Sequence, residues 1–219
     1  MQHDHDHDHV HNHEHGHGSH PVQSDSDAAD PQIALMEQAL RELLVEKGIF
    51  TNGELHRAIE RMESLDGAVL GRKVVARAWT DPDYKALLLA DGPRAIAAFG
   101  ASLGLPEFHV VQNSPTVHNV IVCTLCSCYP RGLLGLPPSW YKSKEYRSRE
   151  VHEPRVVLEE FGTILPPDTE VRVHDSTADL RFMVLPLRPA ETEHMDAAAL
   201  EGLVTRDSLV GVGLPLGRL

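Results

Sequence analysis

The chain has 219 residues, of which 42% are hydrophobic and 24% charged, a mixture that supports one globular domain with extensions. Its formal net charge of −12 repels phosphate backbones, so we expect no nucleic-acid partner. The sequence contains neither an apolar run long enough to cross a bilayer nor a signal-peptide pattern. We therefore expect a soluble, cytoplasmic protein without a membrane partner.

The N-terminus is rich in histidine and acidic residues, with nine of the 15 histidines between His3 and His20. Because it has almost no apolar content, we predict that residues 1–30 form a disordered tail and linker. Alternating imidazoles and carboxylates bind divalent transition metals loosely, which suggests metal storage or delivery. The alternative interpretation is an inert solubilising or purification tail.

Residues 31–104 are predicted to form a helical N-terminal region. Asp30 and Pro31 favour the start of a first helix, which Gly48 ends, and the capping-box spacing from Thr51 to Glu54 starts a second helix. Further helices are predicted at three places, namely Gly71 to Trp79, Asp81 to Leu89, and from Pro93 onward. This region contains no clustered chemistry, so we assign it to packing and partner contact.

Residues 105–219 are predicted to combine strands and helices, which makes the fold class α+β. The predicted strands are Phe108 to Gln112, His118 to Cys123, Glu170 to His174 and Leu180 to Leu185. The predicted helices are Glu150 to Phe161 and Met195 to Leu203. A helical arm is thus followed by a layered α/β domain that carries a cysteine loop at the end of a strand.

Three cysteines, Cys123, Cys126 and Cys128, lie within six residues and are the only cysteines in the chain. A disulfide framework spreads its cysteines along the chain, so this crowding indicates a metal or redox site. One interpretation is a Cys₃His zinc site completed by His109 or His118. Another is a planar set of two thiolates and the two amide nitrogens of Ser127 and Cys128, with Cys123 as an axial ligand and the opposite position open.

The sequence resembles the nitrile hydratase α-subunit family from about Gln32 to Val212. The similar segments are VCTLCSCYP, GLPPSWYKSKEYRSREVHEPRVVLEEFG, VRVHDSTADLRFMVLPLRP and VTRDSLVGV. The resemblance implies that Cys123, Cys126 and Cys128 are sulfur ligands of a metal and that the amides of Ser127 and Cys128 complete the set. It also implies oxidation of Cys126 to a sulfinate and of Cys128 to a sulfenate.

Thr124 and Tyr129 match the cobalt-type version of this loop, so the resemblance implies one Co(III) per chain in preference to iron. It further implies that a small-molecule nitrile is hydrated to an amide, with Cys128 and Ser127 as catalytic loop residues. The nucleophile is water or the Cys128 sulfenate oxygen. The implied partners are a nitrile hydratase β subunit or β-like chains and a cobalt-insertion activator protein.

The loop departs from the family pattern at Arg131, where nitrile hydratases usually carry a tryptophan that lines the substrate pocket. Arginine there resembles thiocyanate hydrolase, whose γ subunit acts in converting thiocyanate to carbonyl sulfide and ammonia. Arg131 and Trp140 are therefore candidate substrate-binding residues for a polar substrate such as a nucleoside nitrile, although a salt bridge from Arg131 or an interface role for Trp140 is the alternative. Arg181 is a candidate for orienting the metal loop or the subunit interface.

Overall fold

The computed structural model describes residues 31–55, 69–104 and 107–216. In these ranges helices come first and strands follow, which confirms the α+β class. The elements are, in chain order, α1 Pro31–Glu46, α2 Val69–Thr80, α3 Pro82–Ala90, α4 Gly92–Ala97, β1 Glu107–Gln112, β2 Val117–Val122, α5 Arg131–Leu134, α6 Ser139–Lys142, α7 Lys144–His152, α8 Pro154–Glu160, β3 Glu170–Asp175, β4 Leu180–Leu185, α9 Ala197–Leu203 and α10 Arg206–Val210.

The helix starts follow the capping signals in the sequence. The amide of Glu54 donates to the Thr51 hydroxyl at 3.1 Å, and the amide of Thr51 donates to the Glu54 carboxylate at 2.7 Å. This is the predicted capping box, although the remainder of that helix lies outside the described residues. Asp81 caps α3 and Asp91 caps α4 in the same manner.

Helix α1 exposes large apolar side chains. Ile33, Met36 and Leu40 are 64%, 63% and 56% exposed, and Leu43 is 45% exposed. These residues recur at helical spacing and form one stripe along the helix, which we call the α1 stripe. In the part of the chain that the structure describes, no helix is both long and apolar enough to cross a membrane.

The four strands form two parallel two-stranded ladders, β1 with β4 and β2 with β3. The consecutive strands β2 and β3 thus form one ladder, and the first and last strands, β1 and β4, form the other. Parallel pairing needs a crossover, and α5 to α8 provide it between β2 and β3. In the β2–β3 ladder Val122 lies opposite Asp175, so the loop that leaves β2 begins beside the end of β3.

The helix predicted from Glu150 to Phe161 is wrong as a single element. Helix α7 ends at His152 and α8 starts at Pro154, with Glu153 in a non-helical conformation between them. Proline lacks an amide hydrogen and its ring clashes with the preceding turn, so it starts a helix instead of continuing one. The short helices α5, α6 and α10 were also not predicted, because proline and glycine around them read as loop.

The core lies between helix α2 and the ladders, and β2 is buried along almost its whole length. Several polar side chains are buried with it, among them His118 and Asn113. His118 donates through Nε2 to the carbonyl oxygen of Gly211 at 2.6 Å, and its Nδ1 accepts from the side-chain amide of Asn113 at 3.3 Å. Gly211 has a φ of 98°, and a Cβ there would lie 2.1 Å from the carbonyl oxygen of Asn119, so this contact requires glycine.

Candidate metal centre

The first half of the cysteine loop is attached to the end of β3. The Asp175 carboxylate accepts hydrogen bonds from the Thr124 amide at 2.9 Å and from the Thr124 hydroxyl at 2.6 Å. On the other side, the Arg147 guanidinium donates to the Thr124 carbonyl at 3.3 Å. Cys123 itself is fully buried directly after β2. These contacts hold the loop where it leaves the ladder.

The second half of the loop is attached to helix α6. The Tyr141 hydroxyl donates to the carbonyl oxygen of Cys128 at 2.9 Å, and Tyr141 is fully buried. Burial raises the pKa of Tyr141 far above its ordinary value, so the hydroxyl keeps its proton and acts as a donor. The Tyr129 ring packs edge-on against Tyr141 at 4.9 Å between centroids.

This double attachment brings the three sulfur atoms together. The Sγ atoms of Cys126 and Cys128 are 3.0 Å apart, those of Cys123 and Cys126 are 3.6 Å apart, and all three lie within 4.8 Å of one another. A disulfide needs about 2.05 Å between its sulfur atoms, so these are free thiols. Cys126 is exposed, whereas Cys123 and Cys128 are buried.

The thiols differ in how readily they lose a proton. The neighbouring Cys128 thiol lowers the pKa of Cys126 to about 7. Burial raises the pKa of Cys128 to about 12, with the Cys126 and Cys123 thiols acting in the same direction and the positive charge of Arg181 opposing them. Of this pair, the exposed Cys126 therefore loses its proton more readily than the buried Cys128.

The sulfur spacing fits one shared ion. Two sulfur atoms bound at about 2.3 Å lie about 3.3 Å apart at a right angle and about 3.8 Å apart at the tetrahedral angle. The Cys126–Cys128 distance of 3.0 Å is closer to the right-angled arrangement, and the Cys123–Cys126 distance of 3.6 Å lies between the two values. The backbone amides of Ser127 and Cys128 lie between these two thiols in sequence. Three thiols and two amides thus form a suitable donor set for a tetragonal or octahedral transition metal.

Neither histidine considered for a zinc site lies with the cysteines. Both ring nitrogens of His118 are engaged by Gly211 and Asn113. The exposed side chain of His109 lies on β1, 3.8 Å from the Glu107 carboxylate. Among the described residues, the group of side chains that could share a metal at this site consists of Cys123, Cys126 and Cys128. The structure therefore does not assemble the Cys₃His alternative.

A cleft of about 390 Å³ opens beside the thiols, and its lining residues are Leu103, Cys126, Ser127, Cys128, Tyr129, Arg131, Gly132 and Arg181. Arg131 is exposed at the start of α5. Arg181 is half-buried on β4, and its Nε atom is buried without a hydrogen-bond partner. The structure thus brings both predicted arginines to the predicted metal loop and gives the cleft a positive charge.

Trp140 lies apart from this cleft lining. Its ring makes edge-on contacts with Tyr141, Tyr146 and Phe161 at 5.9, 5.0 and 4.8 Å between centroids. We call Trp140, Tyr141, Tyr146 and Phe161 the aromatic cluster. Trp140 packs against Tyr141, which in turn binds the loop at Cys128. A contact between Trp140 and the substrate stays a prediction.

Two residues of the site, Asp175 and Tyr141, were not predicted to hold the loop. Their contacts depend on the parallel pairing of β2 with β3 and on the crossover helices, both of which join segments far apart in sequence. The one local signal was a polar residue directly after a predicted strand.

Comparisons with known proteins agree with this geometry. The family model described as "Nitrile hydratase, alpha chain" matches residues 31–213. The low-molecular weight cobalt-containing nitrile hydratase subunit alpha of Rhodococcus rhodochrous is 46% identical over 197 residues, which is 90% of this chain and 95% of that subunit. The thiocyanate hydrolase subunit gamma of Thiobacillus thioparus is 42% identical over 83% of this chain and 79% of that subunit.

Solved structures show the same fold. An iron-type nitrile hydratase from Comamonas testosteroni Ni1, solved as a double mutant, superposes with a TM-score of 0.79 at 41% identity, covering 87% of this chain and 96% of that chain. This fold is shared with enzyme subunits, and the three thiols gathered at a strand end could hold a metal ion, so the class is that of a metal-binding enzyme subunit. The chain belongs to the nitrile hydratase α-chain family. The predicted extent of the resemblance, from about Gln32 to Val212, is confirmed, and the cobalt-containing relative supports cobalt as the metal.

Proposed function

We propose that this chain is the metal-carrying α subunit of a cobalt nitrile hydratase, which adds water to a nitrile to give the amide. The observation that carries the proposal is the cluster of three thiols within 4.8 Å at the edge of an open cleft. In the proposed site, Cys123, Cys126 and Cys128 supply sulfur, and Ser127 and Cys128 supply amide nitrogen to one Co(III) ion. The cobalt-containing Rhodococcus relative favours cobalt over iron.

Burial and exposure support a specific pattern of cysteine oxidation. Cys126 is exposed and is proposed to carry two oxygen atoms as a sulfinate, whereas Cys128 lines the cleft and is proposed to carry one as a sulfenate. Cys123 is fully buried after β2 and stays a thiolate. Oxidation needs access for the oxidant, and access to the three sulfur atoms follows this order.

When bound, cobalt supplies Lewis acidity that makes the nitrile carbon electrophilic. The chain's own residues do the remainder. Cys128 presents its sulfenate oxygen, or holds a water molecule, beside the nitrile carbon in the cleft. If water attacks, its oxygen bonds to the nitrile carbon and both of its protons pass to the nitrile nitrogen. If the Cys128 sulfenate oxygen attacks, a water molecule then breaks the new bond, leaves its own oxygen on the carbon, gives its two protons to the nitrogen and restores the sulfenate. In either case one water and one nitrile become one amide. Arg131 and Arg181 face the same space and favour a substrate with an electron-rich polar group.

A partner chain is part of the proposal. The α1 stripe is exposed, and the relatives are named as subunits of nitrile hydratases and of thiocyanate hydrolase. We propose that a β subunit or β-like chain covers the α1 stripe and completes the substrate pocket, and that an activator protein assists cobalt insertion. The cleft lining described here is accordingly one side of the full pocket.

The test is turnover by the cobalt-loaded chain co-expressed with the chain of its neighbouring gene. An aliphatic nitrile, a nucleoside nitrile and thiocyanate are offered separately, and amide, carbonyl sulfide and ammonia are measured. Amide from either nitrile is the expected result. Mass spectrometry of the loop peptide should find two oxygen atoms on Cys126 and one on Cys128. Three unmodified thiols holding zinc would contradict the proposal.

A second candidate is the γ subunit of a thiocyanate hydrolase, favoured by Arg131 in the cleft. A guanidinium beside the metal loop suits an anionic substrate such as thiocyanate, and the Thiobacillus relative carries that name. Carbonyl sulfide and ammonia from thiocyanate, with no amide from either nitrile, would establish this candidate in place of the first. Arg131→Gln should then reduce kcat/KM for thiocyanate, because the attraction for the anion is lost.

A further inference from the structure

We propose that Tyr141 is a positioning residue of the metal centre, whose hydroxyl fixes the Cys128 carbonyl and thereby holds the sulfur and amide of Cys128 in the geometry that retains the metal. This inference rests on the proposed cobalt site. It assigns to Tyr141 a role beyond packing, because the residue acts on a donor residue through a single hydrogen bond of 2.9 Å.

Cys128 is the residue for which a fixed carbonyl matters most. It is proposed to give the metal two donors, its sulfur and its amide nitrogen. The nitrogen is bonded to the same Cα as the carbonyl carbon, and the sulfur is one bond further away, on Cβ. A carbonyl oxygen held from outside the loop limits rotation of this residue. The Cys128 sulfur then stays at its observed 3.0 Å from the Cys126 sulfur. Donors held in place before the metal arrives bind it more tightly than donors that must first be ordered.

Tyr141 is itself held rigidly. It is fully buried, and its ring contacts Tyr129, Tyr146 and Trp140 at 4.9, 5.8 and 5.9 Å between centroids. A side chain packed on several sides has one available rotamer, so its hydroxyl oxygen occupies a defined position. The bond to Cys128 therefore transmits the rigidity of the aromatic cluster to the metal loop.

The two ends of the loop are attached to different elements. Asp175, at the end of β3, binds Thr124 near the start, and Tyr141, on α6, binds Cys128 near the end. The loop itself has no helix or strand from 123 to 130 to restrain it. Loss of the Tyr141 hydrogen bond frees Cys128, which carries two proposed metal donors, while Thr124 stays bound to Asp175. The expected result is faster metal release from a loop that is still attached at its start.

Tyr146 offers a matched control. It is a buried tyrosine of the same aromatic cluster, and its hydroxyl donates to a backbone carbonyl, that of Ile121, at 2.7 Å. Ile121 lies within β2 and is paired with His174 in the ladder, so its position is also fixed by the sheet. Removal of either hydroxyl costs a buried hydrogen bond, but only removal of the Tyr141 hydroxyl frees a proposed metal-donor residue.

The experiment compares Tyr141→Phe and Tyr146→Phe with the unchanged chain, each in the cobalt-loaded complex with its partner. Cobalt release to excess chelator is followed at a temperature well below the unfolding midpoint of both variants. We expect Tyr141→Phe to release cobalt about tenfold faster or more, and Tyr146→Phe to stay within about twofold of the unchanged complex. Tyr141→Phe should also lower the fraction of oxidised Cys128 and shift the visible absorption of the cobalt centre.

A pair of substitutions of similar size covers the case in which Tyr141→Phe does not fold. Tyr141→4-aminophenylalanine keeps a hydrogen-bond donor, whereas Tyr141→4-fluorophenylalanine fills the space of the hydroxyl without one. The amino variant should retain cobalt as the unchanged complex does, and the fluoro variant should lose it faster. Equal release rates in this pair, or in the two phenylalanine variants, would overturn the inference. An unchanged complex that holds no cobalt would instead contradict the proposed function.

Discussion

The cysteine loop and helix α1 differ in how many of their stabilising contacts come from this chain itself. The loop, although irregular, is anchored at Thr124 and at Cys128 by groups of the same chain, and its three sulfur atoms are already gathered. Helix α1 has regular structure, yet the apolar side chains of its stripe remain 45–64% exposed. The geometry of the thiol cluster is therefore a property of this chain, whereas the α1 stripe is left uncovered by the described residues and is proposed to be buried by another chain.

The physical reason is the source of the stabilising contacts. The loop follows a buried strand, and polar groups from β3, α6 and α7 reach it. An amphipathic helix gains most of its stability from packing its apolar face, and α1 exposes that face. Four predictions test this contrast.

Removal of a sulfur should have the largest effect. Cys128→Ser replaces a thiolate donor by a hydroxyl, so we expect cobalt per chain to fall below about a tenth of the unchanged complex and amide formation to be lost. Elemental analysis and turnover assays measure this. Ser127→Ala is the control in the same loop, because its proposed donor is the backbone amide, and it should keep its cobalt. Full cobalt content in Cys128→Ser would show that the site does not use this sulfur.

A charge in the α1 stripe should weaken assembly without affecting the metal. In the proposed complex the partner buries Leu40, and burial of a leucine contributes about 1.5–3 kcal/mol. Leu40→Asp puts a carboxylate at this position, so the dissociation constant of the partner should rise at least about tenfold. Glu42→Ala, on the opposite side of α1, is the control and should bind as before. The measurement is titration of labelled chain with partner. Unchanged affinity in Leu40→Asp would mean that the partner binds elsewhere.

Glu150 is a buried carboxyl group in the region that packs against the cysteine loop, and the described part of the chain gives it no hydrogen-bond partner. It is fully buried on α7, and neither carboxylate oxygen has a hydrogen-bond partner. Burial raises the pKa of Glu150 from the ordinary 4.5 to about 8, opposed in part by the charge of Arg149. Between these values the folded chain holds a proton that the unfolded chain has lost, so this residue makes the free energy of unfolding fall as pH rises.

Glu150→Gln cannot ionise and should remove this pH dependence. As the pH is raised from about 5 to 8, we expect the unfolding temperature of the unchanged complex to fall by a few degrees more than that of the Glu150→Gln complex. Exposed Glu159→Gln is the control and should show no such divergence. Parallel curves for Glu150→Gln and the unchanged complex would mean that Glu150 is ionised and paired in solution.

The smallest effect is expected from the N-terminal tail, which lies outside the described residues. Deletion of residues 1–20 should leave turnover of the fully loaded enzyme unchanged, because none of the three thiols lies there. If the histidines deliver metal, the deletion should slow cobalt loading only when cobalt is limiting. The rate of activation at limiting and at saturating cobalt measures this. If the deleted chain and the full chain are activated at equal rates at both cobalt concentrations, the metal-delivery hypothesis is removed.

The sequence by itself determined the local features of this protein. The capping-box spacing from Thr51 to Glu54 placed a helix start. Two β-rich runs and two alternating runs placed the four strands. Each of these signals lies within a few residues of the element that it defines. The crowding of the three cysteines indicated a metal or redox site for the same reason, and the spacing alone left the zinc and planar interpretations open. Resemblance to a family extended this to cobalt, with the extent of the match confirmed from residue 31 to 213.

The tertiary structure alone decided how the loop is held. The parallel pairing of β2 with β3 brings Asp175 to Thr124, 51 positions away, and helix α6 brings Tyr141 to Cys128. It also placed Arg181 of β4 and Arg131 of α5 in one cleft and Trp140 in the aromatic cluster. No local pattern encodes these contacts, because each depends on which strands pair and where the crossover helices pack, and the whole core decides both.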